Sequence, residues 1–190
     1  VTAGAGGFCV NGVAVGGSSD VNALSPIEVG YSNGACGTYS SSVGYSNCSC
    51  NNFSSAIGYM NCASGQYSSA NGACNCASTS CSTAVGYKNI ASGSFDNTTA
   101  IGICNQAGGS AGTVAMGLRN CANGWFNAAV GYGNKALCEG ASAIGSGDYN
   151  GGGGSEIYNN AYGCQSTAVG FSNCAIAQSS TAVGWKNTAC

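Results

Sequence analysis

Apolar positions in this chain recur neither at every second residue nor at the three-and-four spacing of a helix. They return about every fourteen residues inside a short unit: a small residue, alanine, valine or isoleucine, glycine, often an aromatic, a variable residue, asparagine and usually alanine. Ser82-Thr83-Ala84-Val85-Gly86-Tyr87-Lys88-Asn89-Ile90-Ala91-Ser92-Gly93 is one copy. Anchored on its glycine, the unit recurs at Gly16, Gly30, Gly44, Gly58, Gly72, Gly86, Gly102, Gly117, Gly131, Gly145, Gly170 and Gly184. Most steps are 14 residues; those into Gly102 and Gly117 are 16 and 15, which places small insertions there. The step from Gly145 to Gly170 is 25 and contains the run Gly151-Gly152-Gly153-Gly154, so it is expected to hold one degenerate coil and a loop. The stretch before Gly16 reads as a further, irregular coil.

Fourteen residues cannot form a helical hairpin with its turns, but they can form two short strands and two tight turns. The period therefore predicts an all-β fold, a parallel β-solenoid of about 14-residue coils. It fills residues 1–190 as one domain, with an irregular loop expected at 146–160. Glycine supplies the positive φ of a corner. About thirteen coils at a strand spacing of about 4.8 Å would make a rod of roughly 60 Å.

In such a stack, equivalent positions of successive coils form columns. One residue before the glycine runs an aliphatic column, from Val15, Val29 and Val43 through Ile57, Val85 and Ile101 to Val183. Five residues after it runs a column of mostly alanine, including Ala35, Ala63, Ala77, Ala91 and Ala107. These two columns are expected to form a thin core, the aliphatic side chain supplying about 2–3 kcal/mol per coil. Three residues after the glycine lies an amide column: Asn33, Asn47, Asn61, Asn75, Asn89, Asn105, Asn120, Asn134, Asn173 and Asn187, with Asp148 as the exception. Asparagine tolerates the left-handed region, bonds its own turn and stacks into ladders, so the column is expected to be structural.

Composition narrows the functional classes. The chain has 33 glycines, 5% charged residues, no histidine and a net charge of −2, which favours self-association over dispersal. Its only cations, Lys88, Arg119, Lys135 and Lys186, form no basic patch, so nucleic acid is not an expected partner. No apolar run is long enough for a membrane-spanning helix. Without an initiating Met or a signal-like segment, the chain reads as a mature product or a fragment. Without histidine no ordinary triad can form; no catalytic residue and no cofactor are expected. Asp148, Asn150 and Glu156 flank the glycine run as a loop that could hold calcium, though a solvated turn is the plainer reading. Asn47, Asn52 and Asn97 head N-x-S/T sequons.

Large side chains follow many of the glycines: Tyr31, Tyr45, Tyr59, Tyr87, Tyr132, Phe171 and Trp185, with Ile103 and Leu118 continuing the column. A second column, five residues before the glycine, holds Tyr39, Phe53, Tyr67 and Phe126. An alanine-lined roll is too thin for two such ladders, so at least one is expected outside, where it exceeds the apolar stripe a monomer ordinarily exposes. Subunit packing leads the readings of these rings; adhesion to a ligand or glycan and burial within the coil are the others.

The fourteen cysteines also align. Cys48, Cys62, Cys76, Cys121 and Cys174 lie four residues after their glycines, Cys36, Cys50 and Cys190 six after, and Cys74 and Cys104 two after. Same-column residues stand about 4.8 Å apart, within the Cα range of a disulfide. Candidate pairs are Cys36–Cys50 and either Cys48–Cys62 or Cys62–Cys76. Metal is a rival reading of Cys48-Ser49-Cys50 and Cys74-Asn75-Cys76, but the two pairs occupy different columns without the usual two-residue spacing, and no metal site is expected. Thiols buried as small apolar residues are a further alternative. So many cysteines in a chain without histidine favour an oxidising compartment.

Thr83-Ala84-Val85-Gly86, Thr99-Ala100-Ile101-Gly102, Ser142-Ala143-Ile144-Gly145 and Thr181-Ala182-Val183-Gly184 resemble the repeats of YadA-like head domains, found in trimeric autotransporter adhesins and, as "T-A-I-G-Y" repeats, in phage tail-fibre-like proteins. The chain carries more cysteine than such heads do. The resemblance implies a left-handed parallel β-roll, commonly a homotrimer, that works at a surface by adhesion. Low charge, an aromatic stripe and many cysteines point first to a structural, self-assembling subunit of an extracellular fibre, appendage or surface layer. Its partner would be itself, as an oligomer, a trimer or an end-to-end stack. An adhesive head or viral tail-fibre segment binding a host protein or glycan is the second reading. Ice binding is a third, weakened by the lack of a regular Thr-x-Thr column.

Overall fold

The computed structural model describes residues 26–147 and 158–190, together with the backbone of the strands Thr2–Gly4, Gly7–Val10 and Val13–Val15. The chain is an all-β parallel solenoid with no helix among the described residues. Each coil contributes one long and one short strand. Eleven long strands, from Ile27–Tyr31 to Thr181–Trp185, form one sheet. Eleven short ones, from Gly34–Ala35 to Thr188–Ala189, form the other. The register is the sequence period made spatial: Val85 lies between Asn71 and Ile101, and Gly86 between Gly72 and Gly102. Eleven stacked strands span about 48 Å, shorter than the expected rod, because fewer coils join the stack.

Two expectations about the ends of the repeat fail. Residues before Gly16 do not form a coil: Gly7–Val10 pairs antiparallel with both Thr2–Gly4 and Val13–Val15. Val15 pairs with Phe8 and so does not head the aliphatic column. The 25-residue step hides no extra coil either. Gly145 pairs directly with Gly170, and Lys135 with Asn160. The step is one lengthened coil, and the last residues of the loop expected at 146–160, Asn159 and Asn160, already belong to the short strand Asn159–Ala161. The calcium-loop candidates Asp148, Asn150 and Glu156 lie outside the described residues.

The core differs from the expected one. Side chains alternate along each long strand, so the glycine and the alanine two before it point inward while the aliphatic residue between them points out. Ala84 and Ala91 are fully buried, whereas Ile57 is 45% and Val183 60% exposed. Two alanine columns, one from each sheet, meet between the walls. Where one coil has Ser42 and Ser49 instead, their hydroxyls lie 2.8 Å apart and Ser42 also donates to Gly34 O, so no polar atom is stranded. Walls this close leave no room for valine or isoleucine. The aliphatic column therefore supplies none of the core energy assigned to it.

The inward glycine sets that closeness. A Cβ on Gly86 would lie 2.1 Å from Gly102 O, and φ is +118°. The αL residue of this corner is not the asparagine but the one before it, Lys88 at φ 53°. Its strain is offset by a bond along the axis, Lys88 N donating to Ala73 O.

Candidate functional site

The long-strand sheet presents a flat outer face of three columns: Ser or Thr, the aliphatic residue, and the aromatic. From Ile27 to Trp185, none of these outward positions carries a charged side chain. Five residues across and eleven strands along give a face of about 800 Å². Tyr31, Tyr45 and Tyr59 stack with ring centroids 5.4 Å apart. Ala73 interrupts the ladder. Tyr87 resumes it, 44% exposed, with Lys88 Nζ 5.2 Å from its ring centroid. Tyr132 and Phe171 are half-buried, and Trp185 is exposed beneath Lys186 Nζ. Burial of this column within the coil is thus ruled out.

The second ring column is also outside, at the corner leading into the long strand. Tyr39, Phe53 and Tyr67 stack at 5.1 and 4.9 Å, each with φ near +56°. Phe126 belongs to this column but packs instead against Trp125, which also meets Phe95. Phe95 comes with the extra residues of the 16-residue step, at the same corner. Beside it runs a groove of about 300 Å³ lined by Asn51, Ser64, Gln66, Ser78, Thr79 and Asp96.

The asparagine column is an internal ladder. Asn47, Asn61, Asn75, Asn89, Asn105, Asn120, Asn134 and Asn173 are buried, Asn33 is partly buried and Asn187 is exposed. Asn89 Nδ2 donates to Val85 O at 2.9 Å, to Gly102 O at 2.7 Å and to Asn75 Oδ1 at 3.0 Å. Its Oδ1 accepts from Asn105 N and Nδ2. Each amide thus ties its own turn to the coils on both sides. Asp148 lies outside the described residues; Asn159 holds that rung, donating to Asn134 Oδ1 and accepting from Asn173 N. The sequence spacing concealed Asn159 because the insertion falls between it and Gly145. Asn47 is 1% exposed, so its sequon is closed to modification, while Asn52 and Asn97 are exposed.

Cys48, Cys62, Cys76, Cys121 and Cys174 lie on the outer face of the short-strand sheet. Cys48, Cys62 and Cys76 are in-register neighbours, but neither Cys48–Cys62 nor Cys62–Cys76 is bonded, and Cys36 and Cys50 are thiols too. None of these five is buried, so they do not serve as small core residues. The closest approach is within one strand end, Cys48 Sγ to Cys50 Sγ at 2.7 Å; that thiol neighbour and burial push the Cys48 thiol up to about 12. Cys62 is lowered to about 6 because the Cys76 thiol and, more weakly, the Ser64 hydroxyl donate to it against the effect of burial. Cys76 is correspondingly raised. Burial raises Cys121 and Cys174.

The disulfide that does form joins Cys138 and Cys164, with Cα atoms 4.7 Å apart. The sequence reading missed it because 26 residues separate them, nearly two regular coils; once the lengthened coil is allowed for, they fall in neighbouring coils. Closing a loop of that size stabilises by roughly 3 kcal/mol through the unfolded chain. Cys138→Ser should lower stability by about that amount in urea denaturation, and reductant should then have no further effect on this pair.

Among the described residues, no three cysteines or carboxylates are grouped to hold a metal ion, and no helix is long and apolar enough to cross a membrane. No protein-family model, curated protein or solved structure matches the chain.

Proposed function

We propose that the chain is a self-assembling structural subunit of an extracellular fibre, appendage or surface layer, and that copies pack through the outer face of the long-strand sheet. The observation that carries this reading is the absence of charge from a face of about 800 Å² on which ring and aliphatic columns run beside a hydroxyl column, an area comparable to what one partner contributes to a standard stable interface. A second copy suits this face because it presents the same flat columns at the same 4.8 Å interval (about one strand spacing), so ring and aliphatic columns can interleave along their whole length. A net charge of −2 opposes such contact only weakly.

Placing Lys at Ile57 and Ile101, both on this face and outside the core, should leave the circular dichroism of the fold unchanged. It should convert a multimer to a monomer in sedimentation velocity, and electron micrographs should lose any filaments seen with the unaltered chain. A wild-type chain that stays monomeric at high concentration would overturn the proposal. It would favour an adhesive head, with the groove beside Phe95 and Trp125 as the first place to seek a glycan contact.

A further inference from the structure

The thiol face of the short-strand sheet is used by neither the core nor the proposed packing face. Three of its cysteines stand in consecutive coils of one column, Cys48, Cys62 and Cys76, each in register with the next. The same molecule closes a disulfide between neighbouring coils at a Cα separation of 4.7 Å, so the axial step of this rod accommodates a cross-coil bond. Within the column the three thiols are not equivalent. Cys62 sits between the other two, in register with both, and its neighbours Cys76 and Ser64 favour its thiolate. Cys48 is instead engaged with Cys50 in its own coil. The titratable groups facing Cys62 are therefore thiols: Cys76, and Cys48 with its neighbours Cys50 and Cys36.

We propose that Cys62 and Cys76 form a thiol–disulfide exchange site, with Cys62 as the attacking sulfur, Cys76 as the resolving one and a low-molecular-weight disulfide as the oxidant. The Cys62 thiolate attacks one sulfur of the small disulfide. That S–S bond breaks, one small thiolate leaves and is protonated, and Cys62 carries the other half as a mixed disulfide. Cys76 then gives up its proton to solvent or to the departing group and attacks the Cys62 sulfur. The second small thiol is expelled, and a bond joins the two coils. Two protein thiols are oxidised and one small disulfide is reduced to two thiols. The result is a covalent rung between coils, made after folding and reversible by the reverse exchange.

The pKa difference gives the site a rate signature. At pH 7 a thiol lowered from 9.0 to about 6 is mostly thiolate, whereas an ordinary one is about 1% ionised. Weaker nucleophilicity at lower pKa takes back a factor of roughly 20, leaving an advantage of about fourfold at pH 7 and about twentyfold at pH 6. A pyridyl disulfide assay on the folded chain should show one fast thiol with that pH dependence, lost in Cys62→Ser. Oxidised glutathione should give the wild-type chain a Cys62–Cys76 bond by peptide mapping. In Cys76→Ser it should instead leave glutathione attached at Cys62. A persistent glutathione adduct on wild-type Cys62, a bond mapped to Cys48–Cys62 or Cys48–Cys50, or a Cys62 rate no greater than in urea would each overturn the assignment. The wild-type rate and map decide the matter even if a variant does not fold.

Discussion

Gly86→Ala is expected to break the rod at its middle, with a loss of more than about 4 kcal/mol. Two effects combine. The new Cβ would lie 2.1 Å from Gly102 O and 3.0 Å from Gly102 C, atoms of the backbone ladder that cannot swing aside. It would also hold a side chain at φ +118°, a region in which strain costs on the order of 1–3 kcal/mol. To relieve the clash the two coils must separate by more than an ångström, which breaks the strand bonds between them. Two controls isolate these contributions. At Gly184 the φ is +116° but the only close neighbour is Asn187 Nδ2 at 2.9 Å, since no described coil lies beyond it, so alanine there should lose much less. At Gly34 nothing lies within 4 Å and φ is not positive, so alanine should be nearly neutral. Urea denaturation followed by circular dichroism orders the three. Equal losses at Gly86 and Gly34 would refute the close-approach account.

The second large effect is expected at Asn89. Its two N–H groups serve three acceptors, so one bond is shared, and its carbonyl serves two donors of the next coil. Asn89→Ala would strand the Asn105 N–H and take one donor each from the ladder carbonyls of Val85 and Gly102. At about 1–3 kcal/mol for the stranded group, with the lost bonds added, the loss should reach roughly 4 kcal/mol. Asn89→Asp tests the bonding apart from size. The isosteric carboxylate would aim an acceptor at Asn75 Oδ1, Val85 O and Gly102 O, so at pH 7 it should destabilise at least as much as alanine. Those oxygens and burial disfavour the charged form, raising the folded carboxyl above its unfolded value of about 3.9. Stability is then lost as pH rises through the folded value, and the variant should recover part of its deficit as pH falls toward about 4, where the neutral carboxyl can donate. An Asp variant as stable at pH 7 as the unaltered chain would show that the rung is valued for volume alone.

These two positions also show what the sequence could reveal. The period, the parallel register, the ring columns and the amide column were legible because a solenoid converts spacing in the chain directly into adjacency along its axis. Which way the aliphatic column faced was misjudged from hydrophobicity: valine and isoleucine gain more from burial than alanine does. Geometry overrides that preference. Gly86 must point inward because only a missing Cβ clears Gly102 O, and strand alternation then turns Ala84 in and Val85 out. Asn159 and the Cys138–Cys164 bond were hidden for a different reason. An insertion changes the count of residues without changing the register, so a count anchored on Gly145 ran past the true neighbours. The in-register thiols were placed correctly, but the column alone could not show that Cys48 would turn to Cys50.

The constant register has a consequence at the level of the gene. Most regular coils offer their neighbours the same inward glycine, alanine and asparagine, so a DNA segment encoding one such 14-residue unit can be lost or copied by misaligned recombination without creating a new kind of junction. Rod length is therefore a trait that can drift in whole-coil steps while the fold is preserved, and it can be selected separately from the chemistry of either face. The coils bearing Cys138 and Cys164 are the exception: losing one of them removes half of a bond, which marks that segment as the part of the array least free to change in number.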